Sequence, residues 1–172
     1  MNEGKLHLYC GEGKGKTTAA MGLALRMLGH GKHVVILQLL KDGSSGELEP
    51  LRRLGAVLLA GKPKGERKFS FQMNEQEKAK TRIFQSEQLR RARSFSADLL
   101  ILDEACGALS AGLVDEALLK ETVLSRPAGQ ELVLTGREPA AWMREAADYC
   151  TEMRCVRHPY AVGLPAREGV EF

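Results

Sequence analysis

Apolar residues in this chain recur in two rhythms that alternate from one end to the other. Dense short runs read as buried strands: Lys5 to Cys10, His33 to Leu40, Ala56 to Ala60, Leu99 to Leu102, and Glu131 to Leu134. Such density suits parallel strands covered on both faces, where no alternation with polar residues is needed. Between these runs the apolar positions fall on helical spacing. Ala20, Leu23, Ala24, Met27 and Leu28 form one stripe at i, i+3, i+4, i+7 and i+8. Gly29-His30-Gly31 stops that helix. Gly22 inside it costs up to about 1 kcal/mol relative to alanine, which predicts close packing against a neighbour.

Glu47 to Leu54 predicts a short helix, and Asn74-Glu75-Gln76-Glu77 is a capping box opening a longer one that runs to about Phe95. Lys78, Lys80, Arg82, Arg90, Arg91 and Arg93, interleaved with Glu87, mark that helix as largely solvated. Val114, Leu118 and Val123 predict another helix, stopped by Arg126-Pro127. Pro139 is expected in the first turn of the next, which packs through Trp142, Met143 and Ala146. Tyr149 to Val156 reads as a last strand. The tail from Arg157 carries Tyr160, Val162, Leu164, Val170 and Phe172, which predicts that it lies ordered against the body. Strands alternating with helices give an α/β architecture with a mainly parallel sheet, helices on both faces and right-handed crossovers.

The length of 172 residues suits a single domain over 1–172 with a substantial core. With 44% hydrophobic and 27% charged residues, a globular chain is expected and a disordered one is not. A net charge of +3 is too small to argue for a nucleic-acid partner. No apolar run approaches the roughly 18 residues of a membrane span. Met1 to Lys5 lacks the parts of a signal peptide, so a cytoplasmic protein with no membrane partner is expected. The four cysteines, at 10, 106, 150 and 155, form no Cys-x-x-Cys pair, so neither a zinc site nor a redox motif is supported. Cys150 and Cys155 are expected to be small buried residues.

Candidate chemistry begins at Cys10-Gly11-Glu12-Gly13-Lys14-Gly15-Lys16-Thr17-Thr18, between the first strand and the first helix. A glycine-rich turn there, ending in Gly-Lys-Thr, is the layout of a phosphate-binding P-loop. Backbone N–H groups form an anion nest and the helix N-terminus adds its positive end. Lys16 would reach the outer phosphates and the Thr17 hydroxyl would ligate magnesium. The usual pattern, G-x-x-x-x-G-K-[ST], has a glycine where this chain has Cys10, so the loop is a variant. Leu99 to Leu102 then leads into Asp103-Glu104, the place where a P-loop protein keeps its magnesium-binding acid.

Two stretches keep more than one reading. Lys41 to Gly46 lies at the strand edge where doubly wound sheets bind ligands. Gly61 to Ser70, with Lys62, Lys64, Arg67 and Lys68, fits a solvated loop and equally a lid whose charge faces a ligand. Phe69-Ser70-Phe71 at its end reads, on its own, as an anchor to the core.

Taken in order, these motifs resemble the P-loop-type ATP:corrinoid adenosyltransferases. Gly11 to Ala20 is similar to that family's G-N-G-K-G-K-T-T-A-A loop, whose missing first glycine is a family trait. Gly22-Leu23-Ala24-Leu25-Arg26, Gln38-Leu39-Leu40-Lys41, Gly46-Glu47, Leu102-Asp103-Glu104, Thr135-Gly136-Arg137, Thr151-Glu152-Met153-Arg154 and His158-Pro159 continue the match. The closing Gly169-Val170-Glu171-Phe172 completes it. Three departures stand out. Glu12 occupies the usual Asn position, Cys106 stands where polar residues are common, and the chain starts almost at its first strand, without the N-terminal helical extension some members use over the corrinoid.

The resemblance implies a P-loop NTPase-like (RecA-like) fold and alkyl transfer, not phosphoryl transfer. Cobalt(I) of the corrinoid attacks the 5′ carbon of ATP and the whole triphosphate leaves. It implies ATP contacts at Gly11, Glu12, Gly13, Lys14, Gly15, Lys16, Thr17, Thr18 and Arg137. It implies Mg2+ (or Mn2+) on Thr17 and Glu104 with Asp103, and catalytic roles for Lys16, Thr17 and Glu104. Phe69-x-Phe71 is similar to the family's Phe-x-Trp pair beneath the corrin, which reverses the purely structural reading. A reduced flavoprotein as electron donor and a homodimer are implied as well. Two other classes stay open: a P-loop nucleotide kinase or NTPase acting on the γ-phosphate, and a non-catalytic corrinoid- or nucleotide-binding protein spoiled by Glu12.

Overall fold

A computed structural model of the chain describes residues 3–65 and 68–170. Arg67, Glu171 and Phe172, named above in the basic loop and the closing motif, lie outside the described residues. The elements run β1 (Leu6–Cys10), α1 (Lys16–Gly29), β2 (Val34–Gln38), α2 (Leu48–Arg53) and β3 (Val57–Ala60). They continue through a 3-10 turn (Ser70–Gln72), α3 (Glu75–Ser94), β4 (Leu99–Asp103), α4 (Ala105–Ser110) and α5 (Glu116–Leu124). β5 (Glu131–Thr135), α6 (Ala141–Ala146), β6 (Tyr149–Glu152) and a second 3-10 turn (Pro159–Val162) complete the chain.

The six strands form one sheet in the order β3-β2-β4-β5-β1-β6, and every neighbouring pair is parallel. Successive strand residues point to opposite faces, so each central strand feeds two cores. Val34, Ile36, Leu99, Ile101 and Val133 pack with Ala20, Met21 and Ala24 of α1 and Leu51 of α2. Leu6, Leu8, Val35, Leu37, Leu100, Leu102, Leu132 and Leu134 face the other way. They meet Leu89 and Ala92 of α3, Leu119 and Val123 of α5, and Met143 of α6. Each fully buried leucine contributes about 1.5–3 kcal/mol, and both faces are filled, as the dense apolar runs predict. This is the expected α/β, P-loop NTPase-like arrangement. Because the strands are parallel, their carboxyl ends gather at one edge.

Local chemistry explains the ends of the elements. The Asn74 side chain accepts the Glu77 N–H while Glu77 accepts the Asn74 N–H, the reciprocal box expected at the start of α3. At the end of α1, Gly31 takes φ +69 and its N–H donates to the Leu28 carbonyl.

Several expectations are corrected. Gly22 is exposed, and among the described residues no atom lies within 4 Å of where its Cβ would sit, so no close packing explains it. Ala140 is the extended N-cap of α6 (φ −61, ψ 153), which leaves Pro139 outside the first turn. α4 follows Asp103-Glu104 directly, a helix whose small residues Ala105, Gly107 and Ala108 gave no periodic signal. β6 has a neighbour on one side only and is exposed along its length, so Cys150 and Cys155 are exposed, not buried. The tail likewise does not bury its apolar side chains: Tyr160 is 78% and Val162 86% exposed. Among the described residues only the 3-10 turn Pro159–Val162 follows β6, and it buries no residue; the tail meets the P-loop through a polar contact, from Lys14 Nζ to the Val170 carbonyl (2.9 Å).

Candidate active site

The loop leaving β1 turns through Gly11 (φ +97) and Gly15 (φ +113), conformations that L side chains rarely adopt. A Cβ on Gly11 would lie 2.5 Å from the Met153 carbonyl oxygen, and one on Gly13 2.7 Å from the Met153 carbonyl carbon. The glycines therefore let the loop press against the strand exit of β6, where the Gly13 N–H donates to Met153 (2.6 Å). The Gly11 N–H donates to the Arg137 carbonyl (2.9 Å), tying the loop to the end of β5 as well. Lys16 opens α1, and its Nζ donates to the Gly11 and Gly13 carbonyls, both at 2.7 Å. Its ammonium group is held over the loop.

Thr17 reaches across the sheet. Its hydroxyl donates to Asp103 Oδ1 (2.8 Å) at the end of β4. β5 lies between β1 and β4, and Thr135 on it fills the gap, donating to the same Asp103 oxygen at 2.7 Å. The Thr135 oxygen in turn accepts the Glu104 N–H at 2.9 Å. Asp103 Oδ2 receives Gln38 Nε2 (3.1 Å) from β2 and lies 3.2 Å from Lys41 Nζ. Asp103 is fully buried, and these four donors and cations are what make a buried carboxylate tolerable there.

Glu104 turns outward from this network. Its backbone sits at φ +61, the one positive φ at a non-glycine among the described residues. Burial first, then the Asp103 charge, pushes the Glu104 carboxyl above the ordinary glutamate range, while Lys41, Lys16 and Arg137 pull it down. Glu104 lines a cavity of about 420 Å³ together with Glu12, Ser70, Arg137 and Glu138. Glu12 points out of the loop and pairs with Arg137, Oε2 to Nη1 at 3.3 Å. Thr18, in the first turn of α1, is exposed. Cys106 lies away from the cavity, buried against Gly136, and burial pushes its thiol up to about 12. It is packing, not chemistry.

Ser70 on the cavity wall is flanked by Phe69 and Phe71. The two rings stack at 5.5 Å with an 8° interplanar angle, and they are 61% and 82% exposed. They do not anchor the loop to the core. The basic loop before them is held internally: Lys62 is buried with Nζ on the Lys68 carbonyl, and Lys68 pairs with Glu77. Those two charges are used by the protein itself, which removes the lid reading for them.

The structure thus brings Lys16, Thr17, Asp103, Glu104, Glu12 and Arg137 to one edge of the sheet, with the phenylalanine pair beside it. Gln38, Lys41 and Thr135 belong to the same network without having been assigned a part in it. Their signal was position, since each stands at the carboxyl end of a parallel strand or just beyond it.

A strand, a glycine loop closing on Lys16 and Thr17, and an acid two strands away define a P-loop nucleotide-binding protein. The chain belongs to the ATP:corrinoid adenosyltransferase family BtuR/CobO/CobP, whose model matches residues 2–172. A corrinoid adenosyltransferase of Pseudomonas aeruginosa is 34% identical, over 98% of this chain and 84% of its own length. Those of Escherichia coli K12 and Salmonella typhimurium are each 30% identical, over 98% of this chain and 86% of theirs.

Proposed function

We propose that this protein transfers the 5′-deoxyadenosyl group of ATP to the cobalt(I) of a corrinoid and releases triphosphate. The observation that carries this reading is one cavity bordered by Glu12 of the phosphate-binding loop, by Glu104 and Arg137, and by Ser70, which stands between the exposed and stacked Phe69 and Phe71, in a chain of this family. Cobalt(I) supplies an electron pair to C5′, and the C5′–O bond breaks with its pair leaving on the triphosphate. The nucleophile needs no deprotonation, so no side chain acts as general base.

What remains for the protein is positioning and charge stabilisation of the leaving group. The loop from Gly11 to Thr18 would cradle the triphosphate, with Lys16, Lys14 and Arg137 as its cations. The oxygen donors Thr17 Oγ1, Asp103 and Glu104 suit a hard divalent ion, Mg2+ or Mn2+. Buried Gln38 Oε1, without a hydrogen-bond partner among the described residues, would be free to accept from water kept by such an ion. Thr17 and Glu104 would hold the ion, with Asp103 orienting Thr17, and the ion would neutralise triphosphate charge. Phe69 and Phe71 would lie against the corrin, displace its lower axial ligand and exclude water.

A one-electron donor such as a reduced flavoprotein, a homodimeric assembly and a cytoplasmic location complete the proposal. Among the described residues no helix is long and apolar enough to cross a membrane. All six strands join one sheet, which supports a single domain over 1–172. The test is product analysis under strong chemical reduction with ATP and cob(I)alamin. Adenosylated corrinoid and intact triphosphate in equal amounts are expected. ADP and phosphate formed without corrinoid would overturn the reading in favour of γ-phosphate chemistry.

A further inference from the structure

A carboxylate in a phosphate-binding loop opposes the loop's own purpose, and the structure shows where Glu12 directs its charge. Glu12 Oε2 lies 3.3 Å from Arg137 Nη1, and both side chains border the same cavity as Glu104. Arg137 is also fixed to the loop through its backbone, since its carbonyl accepts the Gly11 N–H at 2.9 Å. The arginine is thus tied to the loop through its backbone and through Glu12, its counter-ion.

We propose that Glu12 is a specificity-determining residue that weakens the hold on free triphosphate relative to ATP, by competing with phosphate oxygens for Arg137 and then staying beside them as a like charge. The inference rests on the adenosyl-transfer reading above, in which triphosphate is the product. The two side chains are 58% and 72% exposed, so the pair is weak and exchanges readily for a polyanion. Once exchanged, the Glu12 carboxylate stays beside the phosphates as a like charge. Free triphosphate carries more negative charge than the same group esterified in ATP, so the repulsion falls harder on product than on substrate. Glu12 thus favours product release at a smaller loss of ATP affinity, and an asparagine at this position lacks that discrimination.

The test is calorimetric titration of inorganic tripolyphosphate and of ATP into the intact protein, with Glu12→Gln, Arg137→Ala and the double variant. Glu12→Gln should bind tripolyphosphate about three- to fivefold more tightly and ATP about twofold more tightly. The gain should shrink in the Arg137→Ala background, which a contribution independent of Arg137 would not do. It should also shrink as ionic strength rises. Equal tripolyphosphate affinity in wild type and Glu12→Gln, a gain for ATP equal to that for tripolyphosphate, or an undiminished gain without Arg137 overturns the inference and leaves adenosyl transfer standing. A wild-type protein that binds neither ATP nor tripolyphosphate overturns the adenosyl-transfer reading, and the inference with it.

Discussion

Thr135→Val probes the hydrogen-bond chain that joins Thr17 to Glu104. The change keeps the shape of the side chain and removes only its hydroxyl. That hydroxyl donates to Asp103 Oδ1 at 2.7 Å and accepts the Glu104 N–H at 2.9 Å, with Thr135 only 1% exposed and Asp103 fully buried. Losing a hydrogen bond to a carboxylate costs about 1.5–3 kcal/mol, and stranding a buried N–H about 1–3 kcal/mol more. Asp103 keeps Thr17, Gln38 and Lys41, and Glu104 can relax from its strained φ of +61, so the lower part of each range applies. The expected loss is about 3 kcal/mol. For a chain of this length each kcal/mol moves Tm by about 2–4 °C, so melting should fall by about 6–12 °C. Urea denaturation followed by the fluorescence of Trp142, the single tryptophan, measures the same quantity independently. Adenosylation should fall at least about tenfold, because Glu104 loses the tether that aims it. Thr135→Ser, which keeps the hydroxyl, should recover most of both losses. A loss below about 0.5 kcal/mol with unchanged turnover would refute the role given to this network.

Other perturbations separate the remaining parts. Lys16→Ala should abolish turnover while circular dichroism and Tm show an intact fold; a variant with near-normal rate would remove the loop from the mechanism. Phe71→Ala should depress adenosylation and leave ATP affinity and stability nearly unchanged, since the ring is 82% exposed. Equal losses in rate and ATP affinity would instead make Phe71 structural. Asp148 accepts the Leu6 N–H at 2.8 Å, and that bond first, with Lys5 and Arg126 adding their charges, holds its carboxyl below the ordinary 3.8. A depressed folded value gives stability that is complete above the unfolded value and lost as pH falls through the folded one. Asp148→Asn should therefore lower the urea midpoint at neutral pH, and its deficit should begin to shrink below about pH 4 and close only below the depressed folded value. A deficit that persists unchanged into acid would show that the charge of Asp148 is not its cause.

The sequence announced its strands because consecutive apolar residues such as Val34 to Leu37 leave no other way to bury both faces. It announced the P-loop because Gly11, Gly13 and Gly15 stand between a strand and a helix. α4 stayed hidden because one and a half turns of Ala105, Gly107 and Ala108 carry no stripe. The place of Thr135 stayed hidden for a different reason. Only the strand order sets β5 between β1 and β4, and no local pattern encodes that order. Burial of the tail and the edge strand is not legible in the sequence, because hydrophobicity says what could be buried, not whether a neighbour exists to bury it. Cys150 lies on β6, the last strand of the sheet, and is exposed, and Tyr160 in the tail beyond it is 78% exposed.

Phe69 and Phe71 hide one face each by stacking, and the rest of the rings stays in water at 61% and 82% exposure. Full burial of a wholly exposed phenylalanine stabilises by about 1.5–3 kcal/mol, so covering what these two rings still expose would gain at most about 2–4 kcal/mol. That gain is independent of anything the phosphate loop does, because the loop acts through charge and the rings through apolar area. Two substrates of opposite character would then be recognised by two parts of one cavity edge. Loss of Lys16 should leave corrinoid binding largely intact, and loss of Phe71 should spare ATP. Salt should weaken the first contact and scarcely touch the second. A corrinoid affinity that fell steeply with salt would mean that charge, not the stacked rings, does the holding.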